Sequence, residues 1–159
     1  MAWTDSRVLR SFLTDTLAGT AVFDLDSPSD TYKLALFNNS VTPDKDAVSA
    51  NSRYGTPATF TTGNEVTDAT NWVAGGKAVS SLTCTAPSTG VIMVDSADVA
   101  SGGNVTLSGF FGGLLYDDTK TTPVADQAVC FNYFGGTQTV TANPFTAVVD
   151  ANGWFRASV

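Results

Sequence analysis

The apolar positions of this chain follow two different rhythms. Near the N-terminus Val8, Leu9, Phe12, Leu13 and Leu17 recur at helical spacing and form one stripe, which predicts a helix over residues 5–17. Asp5 or Ser6 would cap its start and Gly19 would end it. Beyond it the rhythm changes to that of strands. AVFDLDSPSD (21–30) reads as a short strand and a turn, and YKLALF (32–37) as a strand. Residues 38–55 form a long polar connection, with one or two helical turns expected within 44–54. Residues 56–71 are Thr-rich and irregular, and the Gly75–Gly76 pair turns the chain into a new strand.

From Lys77 the period-two pattern dominates. Leu82, Cys84 and Ala86 alternate with Ser81, Thr83 and Thr85, as in a half-buried strand. VIMV (91–94) is apolar on both faces, as expected of a central strand. Residues 105–107, 114–116, 129–134, 140, 145–149 and 154–155 continue the series, and Asn152 and Gly153 form a hairpin-turn signal. In VCFNYF (129–134) Val129, Phe131 and Tyr133 share a face. The remaining Gly-Gly pairs, at 102–103, 112–113 and 135–136, suit turns, bulges or close backbone approaches. The expected fold is all-β: a β-sandwich or partly closed antiparallel β-barrel. Residues 1–20 form a short N-terminal helix or arm, and residues 21–159 a single β-rich domain.

Composition sharpens this picture. Only 14% of the residues are charged, against roughly 25% in an average soluble protein. Thr, Ser, Asn and Gly fill the difference. The net charge of −7 argues against direct binding to nucleic acid, which needs a positive patch. No secretory signal and no apolar run of membrane-spanning length is present, so the expectation is a product made in the cytoplasm and not placed in a membrane. Cys84 and Cys130 sit within strand patterns and are expected to be small buried residues. Spacing alone does not decide whether they pair.

Candidate chemistry is sparse. The chain has no histidine, so neither a Ser-His-Asp nor a Cys-His arrangement can form. Glu65 is its only Glu, and most of the Asp residues lie in turn contexts such as Asp117–Asp118. Asp24, Asp26 and Asp30 have a faint likeness to a calcium loop, but Ser29 and Ala35 stand where an EF-hand needs Gly and Glu. No phosphate-binding glycine motif is present. The expectation is a non-enzyme with no metal and no cofactor. What remains is partner surface. Trp3, Trp72 and Trp154 are either interface anchors or core, and Phe12 would meet a partner if the N-terminal stripe extends as an arm. Adjacent strand residues point to opposite faces, so if Phe111 is in the core, Phe110 faces water, another sheet or another subunit. Trp3, Phe12 and Phe110 are the candidate interface residues.

Three stretches, LALFNNSVTPDKDAVSANSRYG (34–55), GNEVTDATNWVAGGKAV (63–79) and LLYDDTKTTPVADQAVCFNYFGGTQTVTANPFTAVVDANGWFRASV (114–159), resemble a family of small virion proteins of tailed bacteriophages, chiefly those infecting actinobacteria. These are described as minor capsid or capsid decoration (cement) proteins. The resemblance implies a structural, non-enzymatic part on the outside of the phage head. It would bind the major capsid protein lattice, often as a homotrimer, and stabilise it. The pattern carries no catalytic or cofactor residue. A tail or head–tail connector component, and a β-sandwich carbohydrate-binding module at the host surface, are the alternatives.

Overall fold

The computed structural model describes residues 3–26, 29–55 and 59–158. The chain is all-β, with two antiparallel sheets and one short helix. Its elements run β1 (Arg7–Val8), α1 (Arg10–Ala18), β2 (Tyr32–Asn38), β3 (Lys77–Ala78), β4 (Thr83–Ser88), β5 (Val91–Asp95), β6 (Val99–Asp117), β7 (Ala128–Ala147) and β8 (Phe155–Ser158). Single 3₁₀ turns at Ser49–Asn51 and Thr62–Asn64 interrupt the connection between β2 and β3. The larger sheet has the order β1-β7-β6-β2-β3 and the smaller the order β4-β5-β8.

The hairpin of β6 and β7 organises the molecule. The pattern predicts several short strands here, but β6 runs unbroken for 19 residues and β7 for 20. The glycine pairs bend these strands without ending them. Phe110 pairs with Gln138 and Gly112 with Tyr133, so β7 spends Phe134, Gly135, Gly136 and Thr137 opposite Phe111 alone. Gly135 and Gly136 take positive φ at this bulge, where a Cβ would be strained. The bend folds the ribbon back on itself. A straight strand would hold Val99 roughly 50 Å from Leu115, at about 3.3 Å per residue. Ala147, the partner of Val99, nevertheless lines one cavity of about 190 Å³ with Leu34, the partner of Leu115 on β2.

The larger sheet is therefore covered on both faces. In β2, Ala35 and Phe37 enter one apolar cluster and Leu34 and Leu36 the other. Trp3, Leu9 and Phe12 complete the first cluster together with Val41 and Phe60. Val99, Val105 and Leu107 of the folded-back ribbon complete the second, together with Trp72. Gly112 and Gly76 are required by close approach. A Cβ on Gly112 would lie 2.4 Å from the Trp3 ring, and one on Gly76 2.0 Å from the carbonyl oxygen of Leu34.

The N-terminal segment departs from the expected helix. Residues 7 and 8 pair with Phe131 and Cys130 of β7, so the helix starts only at Arg10. Leu9 occupies the N-cap without a side-chain hydrogen bond, and neither Asp5 nor Ser6 caps it. Gly19 ends the helix in the left-handed conformation, as predicted. The helix packs on the domain through Leu9 and Phe12, but Leu13 and Leu17 point outward. Polar side chains take the inward side instead. The Asp15 carboxylate accepts hydrogen bonds from Ser49 Oγ (2.6 Å) and Gln127 Nε2 (2.7 Å), and Ser11 meets Ser52.

Four further expectations need correction. Residues 21–26 form no strand, although Ala21 and Phe23 are buried; Ser27 and Pro28 lie outside the described residues. The strand containing Cys84 is largely exposed rather than half-buried, and Cys84 itself is exposed. β5 is central in its sheet, yet only Val94 of it is buried. Asn152 and Gly153 turn the chain from the larger sheet into the smaller, since β8 pairs with β5 and not with β7. Cys130 is buried, as expected, and both cysteines are free.

Candidate interaction surfaces

The three residues singled out as interface candidates lie inside the protomer. Trp3 is 0% exposed, Phe12 3% and Phe110 1%. Trp3 donates its indole N–H to the carbonyl of Asn38 (3.0 Å) and meets Phe60 and Phe131 edge-on. Phe12 packs against Phe23 and Phe155. Phe110 sits between Phe134 and Phe145, with ring centroids at 5.8 and 5.2 Å. Of the options open to Phe110, the one realised is a second layer of the same chain, because the ribbon folds back over it. Trp72 is buried as well, and Trp154 is half-buried with its N–H on Ser96 Oγ (2.9 Å).

Two polar clusters, one half-buried and one around the buried Asp117, tie the frame of the domain together. The first surrounds Glu65. Tyr54 donates to its Oε2 (2.6 Å) and the Gly75 amide to its Oε1 (2.9 Å). Tyr54 stacks on Tyr116, whose hydroxyl donates to the Gly75 carbonyl (2.8 Å). Burial pushes the Glu65 carboxyl above its ordinary range, against the lowering effect of those donors. The second cluster lies where β6 enters the β6–β7 connection. Asp117 Oδ1 accepts from the amides of Thr119 (2.8 Å) and Lys120 (3.1 Å). Lys120 Nζ pairs with Asp30 (3.0 Å), lies 3.8 Å from Asp117 Oδ2 and sits over the Phe23 ring. Burial raises the Asp117 carboxyl too. Asp30 of the calcium-like stretch thus spends its carboxylate on Lys120 and on the amide of Asp24. Each carboxylate in these clusters meets donors of its own chain, which is how a buried charge is kept. Among the described residues, no three His, Cys, Asp or Glu side chains are grouped so as to hold a metal ion. No helix among them is long and apolar enough to cross a membrane.

The outer surface falls into distinct regions. The small sheet exposes Cys84 and, on β5, Ile92. The ribbon carries no charged side chain between Asp98 and Asp117, nor between Asp126 and Asp150. Its two edges are managed differently. Along β6, Asp68 accepts the Thr106 amide (3.0 Å) and Asn71 donates to the Asn104 carbonyl (3.0 Å), so a side-chain turn stands in for a neighbouring strand. The amide donors of Asn71, Thr106 and Thr70 hold the Asp68 carboxyl below its ordinary range. Along β7, no strand pairs beyond Phe131 among the described residues, and the left-handed Ala142 and Pro144 interrupt the edge. Beside that edge opens a groove of about 280 Å³ floored by Phe110, Phe134 and Phe145, with Val148 on its rim. Val148 and, at the far end of α1, Leu17 and Val22 are the most exposed large apolar residues described, at 75%, 87% and 75%.

The sequence pattern places Leu17 in the same stripe as Phe12 but marks neither Val148 nor the groove as exposed. A signal for Val148 exists in retrospect: adjacent Val148 and Val149 at a strand end cannot both face inward. No family model matches this chain, and no curated protein and no solved structure matches it.

Proposed function

We propose that this chain is a structural protein of a phage particle that decorates the outside of the assembled head and stabilises it, acting as a homotrimer and not as an enzyme. The observation that carries the reading is the match between the segments resembling phage decoration proteins and the frame of the domain. The LLYDDT stretch closes β6 and begins the locked connection with Asp117. The CFNYFGG stretch opens β7 and supplies its bend. The resemblance thus includes residues that shape the fold, and the ribbon surface around them consists of charge-poor polar side chains. A Thr-rich, uncharged ribbon suits large permanent contacts, because little charge must be stripped of water when it is covered. On a lattice, many weak contacts of this kind add up to tight attachment.

The carbohydrate-module alternative needs an exposed aromatic platform. Trp3, Trp72, Tyr32 and Tyr116 are all buried, which removes most of the rings that could build one.

The test is co-sedimentation of the purified protein with capsids that lack it, with isolated tails in parallel. Saturable binding to mature capsids, at a fixed ratio to the major capsid protein, is the expected result. Binding to tails alone would assign the protein to the tail or connector, and binding to neither would reject the virion role.

A further inference from the structure

We infer that Lys120 and Asp30 join covalently, through an amide between Nζ and the Asp30 side-chain carbon, with Asp117 carrying protons for the step. The bond lies within one protomer, so the inference stands whether or not the surface this protein decorates is a capsid.

Three observations carry it. First, the reacting groups are already in place. Nζ of Lys120 is 3.0 Å from Oδ2 of Asp30. With a C–O bond of about 1.2 Å, Nζ is no more than about 4.2 Å from the carboxyl carbon. That is a short movement from an attack distance of about 3–3.5 Å. The Asp24 amide donates to the same oxygen (3.3 Å). The backbones beside the two reactants are tied together. The Thr31 amide donates to Thr119 Oγ1 (2.7 Å), and the Asp118 amide to the Thr31 carbonyl (2.8 Å).

Second, one ammonium is flanked by two carboxyl groups. Asp117 Oδ2 lies 3.8 Å from the same Nζ, on a side chain that is 0% exposed. Oδ1 accepts the amides of Thr119 and Lys120, but Oδ2 accepts no hydrogen bond from any described residue. An ion pair needs one carboxylate; the second is free to hold a proton. Burial raises the Asp117 carboxyl, which favours that protonated form.

Third, the site is shielded from water. The side chains of Lys120 and Asp30 are 17% and 10% exposed, and Nζ sits 5.6 Å from the centre of the Phe23 ring. Buried Tyr32 pairs with Asp117 across β2 and β6. Shielding lowers the cost of turning an ion pair into a neutral amine and acid.

The step balances on these groups alone. One Nζ proton passes to Asp30, and the neutral amine attacks the Asp30 carboxyl carbon. An N–C bond forms and a C–O bond breaks. Protonated Asp117 gives its proton to the departing hydroxyl and takes one from Nζ, so it ends as it began. One ammonium and one carboxylate become one amide and one water. The link would join residues 90 apart in sequence and clamp the start of β2 to the end of β6.

The experiment is intact-mass spectrometry of the purified full chain. The parent should be lighter than its sequence requires by the mass of one water, and Lys120→Arg should have its full sequence mass. Trypsin should leave residues 11–33 joined to 78–156, uncut after Lys120. Asp117→Asn keeps an oxygen for the Thr119 and Lys120 amides, so it should show native circular dichroism and retain its full mass. A parent at full mass, or a lost water located outside that pair of fragments, would overturn the inference. An Asp117→Asn chain that links like the parent would remove Asp117 from the step, and one that unfolds would make its part structural.

Discussion

The two sheets of this protein are built alike and behave differently. Both are antiparallel, and both draw on alternating Thr, Ser and apolar residues. The larger one buries Leu34, Ala35, Leu36 and Phe37 in succession on β2. The smaller one leaves every residue of β4 from Cys84 to Ser88 exposed and buries only Val94 of β5. The difference lies in what covers each sheet. Trp3 and α1 close one face of the larger sheet and the folded-back β6–β7 ribbon closes the other. The smaller sheet has a thinner cover among the described residues: Phe155 of β8 meets Phe12 of α1, while β4 stays open from Cys84 to Ser88. An alternating pattern specifies that a strand has two faces; the rest of the chain decides whether either is dry.

The largest effect should come from breaking the larger sheet at its second layer. Phe110→Asp would lose about 3–5 kcal/mol of apolar packing and also bury an unpaired carboxylate among Phe134 and Phe145. The expected result is an unfolded chain by circular dichroism. A folded variant with impaired partner binding would instead put Phe110 on the surface. Trp3→Ala should cost about 3–5 kcal/mol in urea denaturation, since Trp3 fills the first cluster and its N–H satisfies Asn38.

A smaller effect should appear as pH dependence. The folded-state pKa of Glu65 is raised by burial, so the folded protein binds its proton more tightly than the unfolded chain does. The stability that follows is fully present below the unfolded carboxyl range and is lost as pH rises through the folded pKa. Glu65→Gln removes that dependence. Relative to the variant, the wild type should therefore lose stability as pH rises from acid to neutral, as measured by denaturant midpoints across the range. A wild-type advantage that grows with pH would show that the Tyr54 and Gly75 donors outweigh burial. The smallest effect belongs to the smaller sheet: Cys84→Ser should change stability by no more than about 0.5 kcal/mol, because the thiol is exposed and unpaired. A larger loss would mean that this sheet is covered after all.

The sequence made some of this legible and hid the rest for physical reasons. YKLALF announced β2, Gly19 announced the end of α1, and the Gly-Gly pairs announced bulges and close approaches. Each of these is a local property of the backbone. The continuity of β6 and β7 is not legible, because the Gly-Gly pairs at 102–103 and 135–136 have the composition of strand ends although they lie within strands. The inward turn of Ser11 and Asp15 was hidden as well. A helical stripe is read from apolar residues, whereas this helix docks partly through hydrogen bonds to Ser49, Ser52 and Gln127. The burial of Phe110 required knowing that the ribbon folds back. Cys84 is the opposite case: its strand has the period of a half-buried one but is largely uncovered, so the thiol is exposed.

The contrast between the sheets is tested most directly by hydrogen exchange measured residue by residue on the free protein. Amides of β2 and of the paired halves of β6 and β7 from Phe110 to Asp117 and from Ala128 to Tyr133 should exchange slowest, near the rate set by global unfolding. Those of β4 and β8 should exchange much faster, through local opening. Equal protection of the two sheets, or faster exchange in β2 than in β4, would contradict the account.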